Sequence, residues 1–137
     1  MIFLDTNVIS ETMRLRPDQR VVEWLVRHDA ELALSSVVIA ELAFGINKLP
    51  PDQRAQRLAA GLDAWRQRFA GRVFAFTEEC ALVYGALMGA AVRRGRSMSA
   101  QDGMIAAIAI AHGSKLATRN VADFDGTSVA LVNPFSA

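Results

Sequence analysis

The chain opens on a continuous apolar run, Met1–Leu4, the pattern of a buried parallel strand rather than a half-exposed alternating one. The run ends at Asp5-Thr6-Asn7, residues that favour helix starts, and a short helix over roughly Val8–Arg14 follows. Arg16-Pro17-Asp18 interrupts it, and Pro17 is suited to open the next helix. Val21, Val22, Trp24, Leu25 and Val26 make Pro17–His28 amphipathic. Glu31–Ser35 predicts a second strand, with Ser35 or Ser36 capping a helix over Val37–Asn47 that is apolar nearly all round. Pro50-Pro51 stops that helix. Pro51–Ala70 is then an arginine-rich amphipathic helix, with Leu58, Leu62, Trp65 and Phe69 on one stripe. Arg72–Phe76, β-branched and aromatic, predicts a third strand. Thr77 before two glutamates marks the start of a helix running on through Ala81–Arg94. Within it, Gly85 and Gly89 predict close packing against another helix. Ser97–Gly113 predicts a helix of small apolar residues with Gly113 as its stop. Leu116–Thr118 and Val129–Val132 are two further short strands, separated by a polar loop at Arg119–Asp125.

Strands alternating with helices predict an α/β fold: a mainly parallel central sheet of about five short strands, flanked by helices and joined by right-handed crossovers. No linker, repeat or low-complexity stretch interrupts residues 1–137, which predicts a single domain. In open sheets of this kind ligands bind beyond the carboxyl ends of the strands. Asp5, the helix start at Ser36 and the 119–123 loop all fall there.

Composition narrows the classes. A net charge of +1 predicts no overall nucleic-acid footprint, so any basic surface must come from local clustering. The single cysteine, Cys80, excludes an internal disulfide framework and fits a reducing cytosol; beside Glu78 and Glu79 it reads as a structural thiol. MIFLDTN lacks the basic start of a signal peptide, and no apolar run approaches the roughly 20 residues of a membrane span. A cytoplasmic protein with no membrane partner is expected. Hydrophobic residues make up 52% of the chain, so helix faces should be covered by packing or by a partner. His28 and His112 have no serine or cysteine arrangement beside them, and no glycine-rich phosphate loop is present.

The informative feature is three lone acids. Asp5 is the only charge in Met1–Ser10, Glu41 the only one in Leu32–Asn47, and Asp102 the only one in Ser97–Ser114. Each has a structural explanation: Asp5 as a helix cap, Asp102 in the capping box begun by Ser99, Glu41 paired with a buried arginine. If the segments converge, each like-charged pair costs about 4 kcal/mol at about 4 Å and an effective dielectric near 20. The cluster then needs protons or a cation. Hard oxygen donors without histidine or thiolate favour Mg²⁺ or Mn²⁺. Asn120 and Asp123 offer a fourth oxygen source. Thr6, Asn7 and Thr118 are placed to orient the acids or a water, and are equally ordinary cap and turn residues. Such a centre suits phosphodiester hydrolysis by metal-activated water. Arg93, Arg94, Arg96 and Arg119 form a basic rim for a phosphate backbone. The arginines of Arg54–Arg72 read mainly as a solvated face, with RNA contact the minority reading.

Leu4–Ser10, Glu41 within Val37–Gly45, Asp102 within Gln101–Ala107 and the Ala117–Phe124 segment together resemble the PIN-domain ribonucleases, above all the VapC- and FitB-type toxins of toxin–antitoxin pairs. The ending Val129–Phe135 is also FitB-like. The resemblance runs over essentially the whole chain. It implies an Mg²⁺- or Mn²⁺-dependent endoribonuclease with RNA as substrate, a homodimer, and a small antitoxin that inserts a segment into the acidic site. Carried over by position, Asp5, Glu41 and Asp102 match the first three acids. The fourth is open: FitB-like relatives place an acid directly after Thr-Arg, where this chain has Asn120. Many VapC-like members show Thr-x-Asn-x-x-Asp-Phe, which Thr118, Asn120, Asp123 and Phe124 fit. The resemblance thus implies Asp5, Glu41, Asp102 and Asp123 as catalytic and metal-holding residues, with Thr6, Asn7, Thr118, Arg119 and Asn120 around them. Competing readings are a catalytically idle module of the same fold that binds RNA or protein, and a small-molecule phosphohydrolase.

Overall fold

Polar side chains set every α-helix start in the computed structural model, which describes residues 1–136. Asp5 caps α1 (Thr6–Thr12), Asp18 caps α2 (Gln19–His28) and Ser35 caps α3 (Ser36–Asn47). Asp52 caps α4 (Gln53–Arg68), Thr77 caps α5 (Glu78–Arg93) and Ser99 caps α6 (Ala100–Ala111). In each case the side-chain oxygen takes an N–H that the first turn leaves without an intrahelical partner. The first helix therefore begins earlier than Val8. Pro17 stands before the cap of α2 instead of opening that helix.

The strands are β1 (Ile2–Leu4), β2 (Leu32–Ser35), β3 (Val73–Phe74), β4 (Lys115–Ala117) and β5 (Ala130–Val132). They form one sheet in the order β3-β2-β1-β4-β5, and every pair is parallel, as the apolar runs predict. Ile2 pairs with Leu32 on one side and Lys115 on the other, so β1 is the central strand. The third strand is shorter than Arg72–Phe76. It lies at the sheet's edge with only β2 beside it, and past Phe74 the N–H of Phe76 turns to the Ser36 hydroxyl (3.3 Å). The polar loop Arg119–Asp125 contains a 3₁₀ turn, Val121–Phe124, pinned by the buried Phe124 ring.

The core follows the apolar patterns: Phe3 and Leu4 of β1, Val8 and Ile9 of α1, and Ile105 and Ile108 of α6 are fully buried. Cys80 is buried as well, 3.3 Å from the Thr77 hydroxyl, and is structural as expected. His112 ends α6 with Nδ1 2.9 Å from the Ile108 carbonyl oxygen.

Close packing between α5 and α6 does occur, but not at Gly85 and Gly89. A Cβ at Gly85 would meet nothing within 4 Å, and one at Gly89 only Arg93 of the same helix. The tight approach is at Gly103, where a Cβ would lie 2.6 Å from Met88 Sδ and 3.0 Å from Tyr84 Cε2. The correction has a simple cause: Gly85 is on the exposed side of α5, whereas Tyr84 and Met88 point at α6. Gly103→Val should therefore lower stability by about 1–3 kcal/mol through overpacking, read as a fall in the thermal midpoint. An unchanged midpoint would show that Met88 and Tyr84 can simply move aside.

The sheet order also locates the cleft. The chain builds β2 and β3 on one side of β1, then crosses to build β4 and β5 on the other. The strand order reverses at β1, and a crevice opens beyond the carboxyl ends of the strands there. Asp5 directly follows β1, Thr118 directly follows β4, and α6 starts at that end of the sheet before returning to β4.

Candidate functional site

Asp5 is fixed by both its backbone and its side chain. Its N–H continues the β1–β4 ladder to the Ala117 carbonyl (2.9 Å). Its carboxylate, only 5% exposed, accepts from the Thr6 N–H (2.7 Å), the Thr118 hydroxyl (2.8 Å) and the Asn7 amide (3.2 Å). Asn7 also reaches Thr118 (3.3 Å) and accepts from the Arg119 N–H (3.1 Å). Thr118 further accepts from the Asn120 N–H (3.1 Å). The two strand ends are thus laced together around one buried carboxylate. The cap reading of Asp5 is met, and the cap leaves its carboxylate at the strand ends.

Glu41 is half-buried on α3 and accepts from the Thr6 hydroxyl at 3.0 Å. Among the described residues it has no arginine partner, so the ion-pair explanation of Glu41 does not hold. Asp102 is half-buried in the first turn of α6, its N–H bonded to the Ser99 hydroxyl (3.1 Å) as the capping box requires. Asp123 lies on the 3₁₀ turn and is exposed, as is Asn120.

Electrostatics ties these acids together. Burial pushes the Asp5 carboxyl above its ordinary value; the Thr118, Thr6 and Asn7 hydrogen bonds oppose this, and the Asp123 charge adds to it. Glu41 is raised by burial and by the charges of Asp5 and Asp102, against the Thr6 hydrogen bond. Asp102 is raised by burial, then by the charges of Asp5 and Asp123, against the Ser99 hydrogen bond. Each acid of the trio feels at least one other, and Asp123 reaches two of them. Among the described residues no cationic side chain offsets any of the three.

Among the described residues no three of these groups close into a ready metal cage. The donor chemistry nonetheless fits a hard divalent cation. Every donor is oxygen, the carboxylates repel one another, and a cation is what such a set lacks. Asp5, Glu41, Asp102 and Asp123 are the residues that would hold it.

The sequence does not reveal Glu11. It is 4% exposed, accepts from the Asp18 N–H (2.8 Å), and is approached by Arg14 (3.3 Å) and Arg119 (3.4 Å). Arg119 is further held over the Phe135 ring, 3.9 Å from its centroid. Glu11 therefore anchors the loop after α1 and the turn after β4 to one another. Polar neighbours hide its burial, although its spacing of three from Val8 puts it on the inward side of α1. The basic loop expected as a rim is partly engaged elsewhere: Arg96 lies 3.8 Å from Asp125, and the Arg94 guanidinium packs beside Gly126.

Residues 2–127 match the PIN domain family. The chain is 39% identical to the toxin FitB of Neisseria gonorrhoeae, with 98% of this chain and 99% of that one aligned. It is 37% identical to the VapC ribonuclease Y4jK of Sinorhizobium fredii, with 98% of each aligned. The crystal structure of FitAcB from Neisseria gonorrhoeae superposes with a TM-score of 0.92 at 38% identity, covering 100% of both chains. With a matching family model over nearly the whole chain and the same α/β architecture, the chain belongs to the PIN-domain family, among its VapC- and FitB-like members.

Proposed function

We propose that this chain is a divalent-metal-dependent endoribonuclease, the toxin of a toxin–antitoxin pair. The observation that carries the reading is the convergence of Asp5, Glu41 and Asp102 from three separate apolar segments, each raised by burial and by another acid, with no cation among the described residues to balance them. Nature rarely keeps uncompensated carboxylates half-buried unless they hold something positive. The names of relatives support the substrate and the system: a VapC ribonuclease and a FitB toxin align along nearly their full lengths.

In this reading Asp5 and Asp102 are the principal metal holders. Glu41, steadied by Thr6, would be a further ligand or would orient water on the α3 side. Asp123 completes the cluster from the solvent side, and Asn120 is a neutral neighbour. A bound Mg²⁺ or Mn²⁺ supplies an activated water and charge compensation at the phosphate. The chain's own contribution is to fix the oxygens: Thr118, Asn7 and the Thr6 N–H hold Asp5 in one orientation, and the Ser99 cap holds the first turn of α6. No side-chain nucleophile is required. The partner is a small antitoxin that inserts a segment into this acidic cleft, and the cytosol, where the RNA is, is the compartment. A homodimer is also expected, and the exposed Leu82 and Val92 on α5 are apolar surface such an interface would cover. Among the described residues no helix is long and apolar enough to cross a membrane.

The test is cleavage of purified cellular RNA by the antitoxin-free chain with Mg²⁺ or Mn²⁺, and its loss on adding a chelator. RNA left intact with either ion would sink the reading and leave the idle, binding-only alternative.

A further inference from the structure

Resting on that reading, we propose that the RNA strand on one side of the scissile phosphate runs along the groove between α1, α3 and α4, with Arg14, Arg16, Arg54 and Arg57 holding its backbone. The groove has a volume of about 720 Å³, and Thr6 and Glu41 form part of its wall. It is therefore continuous with the acidic cluster. These four arginines line it, and among the described residues Glu41, which belongs to the cluster, is its only acid. A channel with carboxylates at one end and guanidinium groups along its length suits a polyanion whose reacting phosphate sits at a metal.

Local structure explains why the arginines gather there. Along α4, Arg54, Arg57, Leu58 and Gly61 recur at helical spacing on one face. That face lies against the end of α1: Arg57 donates to the Met13 carbonyl (3.4 Å), and Trp65 Nε1 donates to the Thr12 hydroxyl (3.1 Å). Arg14 and Arg16 enter the same groove from the segment after α1. Arg14 is near Glu11, but among the described residues Arg16 and Arg54 make no hydrogen bond or ion pair. Their charge is free for a ligand. Leu42 and Ile46 supply an apolar wall for sugar or base surface, and Gly45 leaves it open, since a Cβ there would meet nothing within 4 Å. The arginines beyond the acids are thus chiefly those of α4 and the α1–α2 segment, not the Arg93–Arg96 loop.

The experiment measures binding of a fluorescent, mixed-sequence single-stranded RNA of about 20 nucleotides, across a salt series with Mg²⁺. The host is the full chain carrying Asp102→Asn, so that the RNA survives. Adding Arg16→Gln and Arg54→Gln should weaken binding about tenfold and reduce the slope of log affinity against log salt by about 1.4, two phosphate contacts at about 0.7 each. Binding of a trinucleotide should stay unchanged. Gly45→Met, which fills the groove without altering charge, should weaken the longer RNA alone. Equal affinity and slope for parent and double-arginine variant overturn the proposal. So does a variant that binds RNA normally but loses a small protein partner, because the groove then belongs to that partner. If the unmutated chain cuts no RNA yet the arginine variants lose RNA binding, the nuclease reading fails and the groove stands.

Discussion

Asp102→Asn should lower metal-dependent RNA cleavage by about 100- to 1000-fold while leaving the metal-free fold at least as stable as before. The rate loss corresponds to about 3–4 kcal/mol in the barrier, at about 1.4 kcal/mol per tenfold, the scale expected when an ion's charge stabilisation is lost. The stability half follows from the sign of the electrostatics. Burial and the charges of Asp5 and Asp123 disfavour the ionised form of Asp102 in the folded chain. A neutral amide of the same shape removes that penalty. It also keeps the backbone N–H that bonds Ser99 at 3.1 Å, so the helix cap survives. Cleavage assays on purified RNA, paired with thermal unfolding, separate the two effects. Equal cleavage by the variant would remove Asp102 from the chemistry. A sharply lower midpoint would make it a structural cap and nothing more.

The second large effect is a pH dependence that metal reverses. Asp5, Glu41 and Asp102 all have folded-state pKa values above their ordinary values of 3.8, 4.5 and 3.8. A carboxylate raised on folding binds more protons in the native state than in the unfolded one between the two values. Stability therefore falls as pH rises through that window, from about 4 upward, and stays reduced at neutral pH. These three groups should make the metal-free chain more stable at mildly acidic pH than at pH 7, opposite to a carboxylate held by a cation. Mg²⁺ or Mn²⁺ should restore the loss, because only the folded, ionised cluster binds it. At about 100 times its dissociation constant the ion adds about 2.7 kcal/mol, roughly 8–10 °C in the midpoint for a chain of this size. Thermal scans at two pH values, with and without the ion, measure this directly. An ion-independent midpoint at neutral pH would contradict a metal centre here, and Asp102→Asn should shrink the response.

Much of the site was legible because burial makes charge conspicuous. Asp5, Glu41 and Asp102 stand alone in apolar segments, and the structure gives each a raised pKa from its surroundings. The parallel sheet was legible for a related reason: Met1–Leu4 and the Leu32–Leu34 heart of the second strand are unbroken apolar runs, as strands buried on both faces must be. Features that depend on distant geometry were not. Glu11 lies among serine and threonine, so its burial leaves no compositional trace. Gly85 and Gly89 had the spacing of a packing motif, but which face of α5 meets α6 is decided by Tyr84 and Met88. The rim was expected from Arg93, Arg94, Arg96 and Arg119, with the α4 arginines mainly a solvated face, and only tertiary folding shows that Arg54 and Arg57 line the groove with Thr6 and Glu41.

The hydrogen bond from Thr118 to Asp5 also sets a clock. Asp5 is made well before the hydroxyl that orients it, which lies 113 positions later. One edge of β1 has no partner until β4 has been made and slots in beside it. Contacts of such long sequence separation close late in folding. A growing chain therefore carries Asp5 without its Thr118 partner until β4 has been made. Asp5 takes its final orientation only once residue 118 is free to fold.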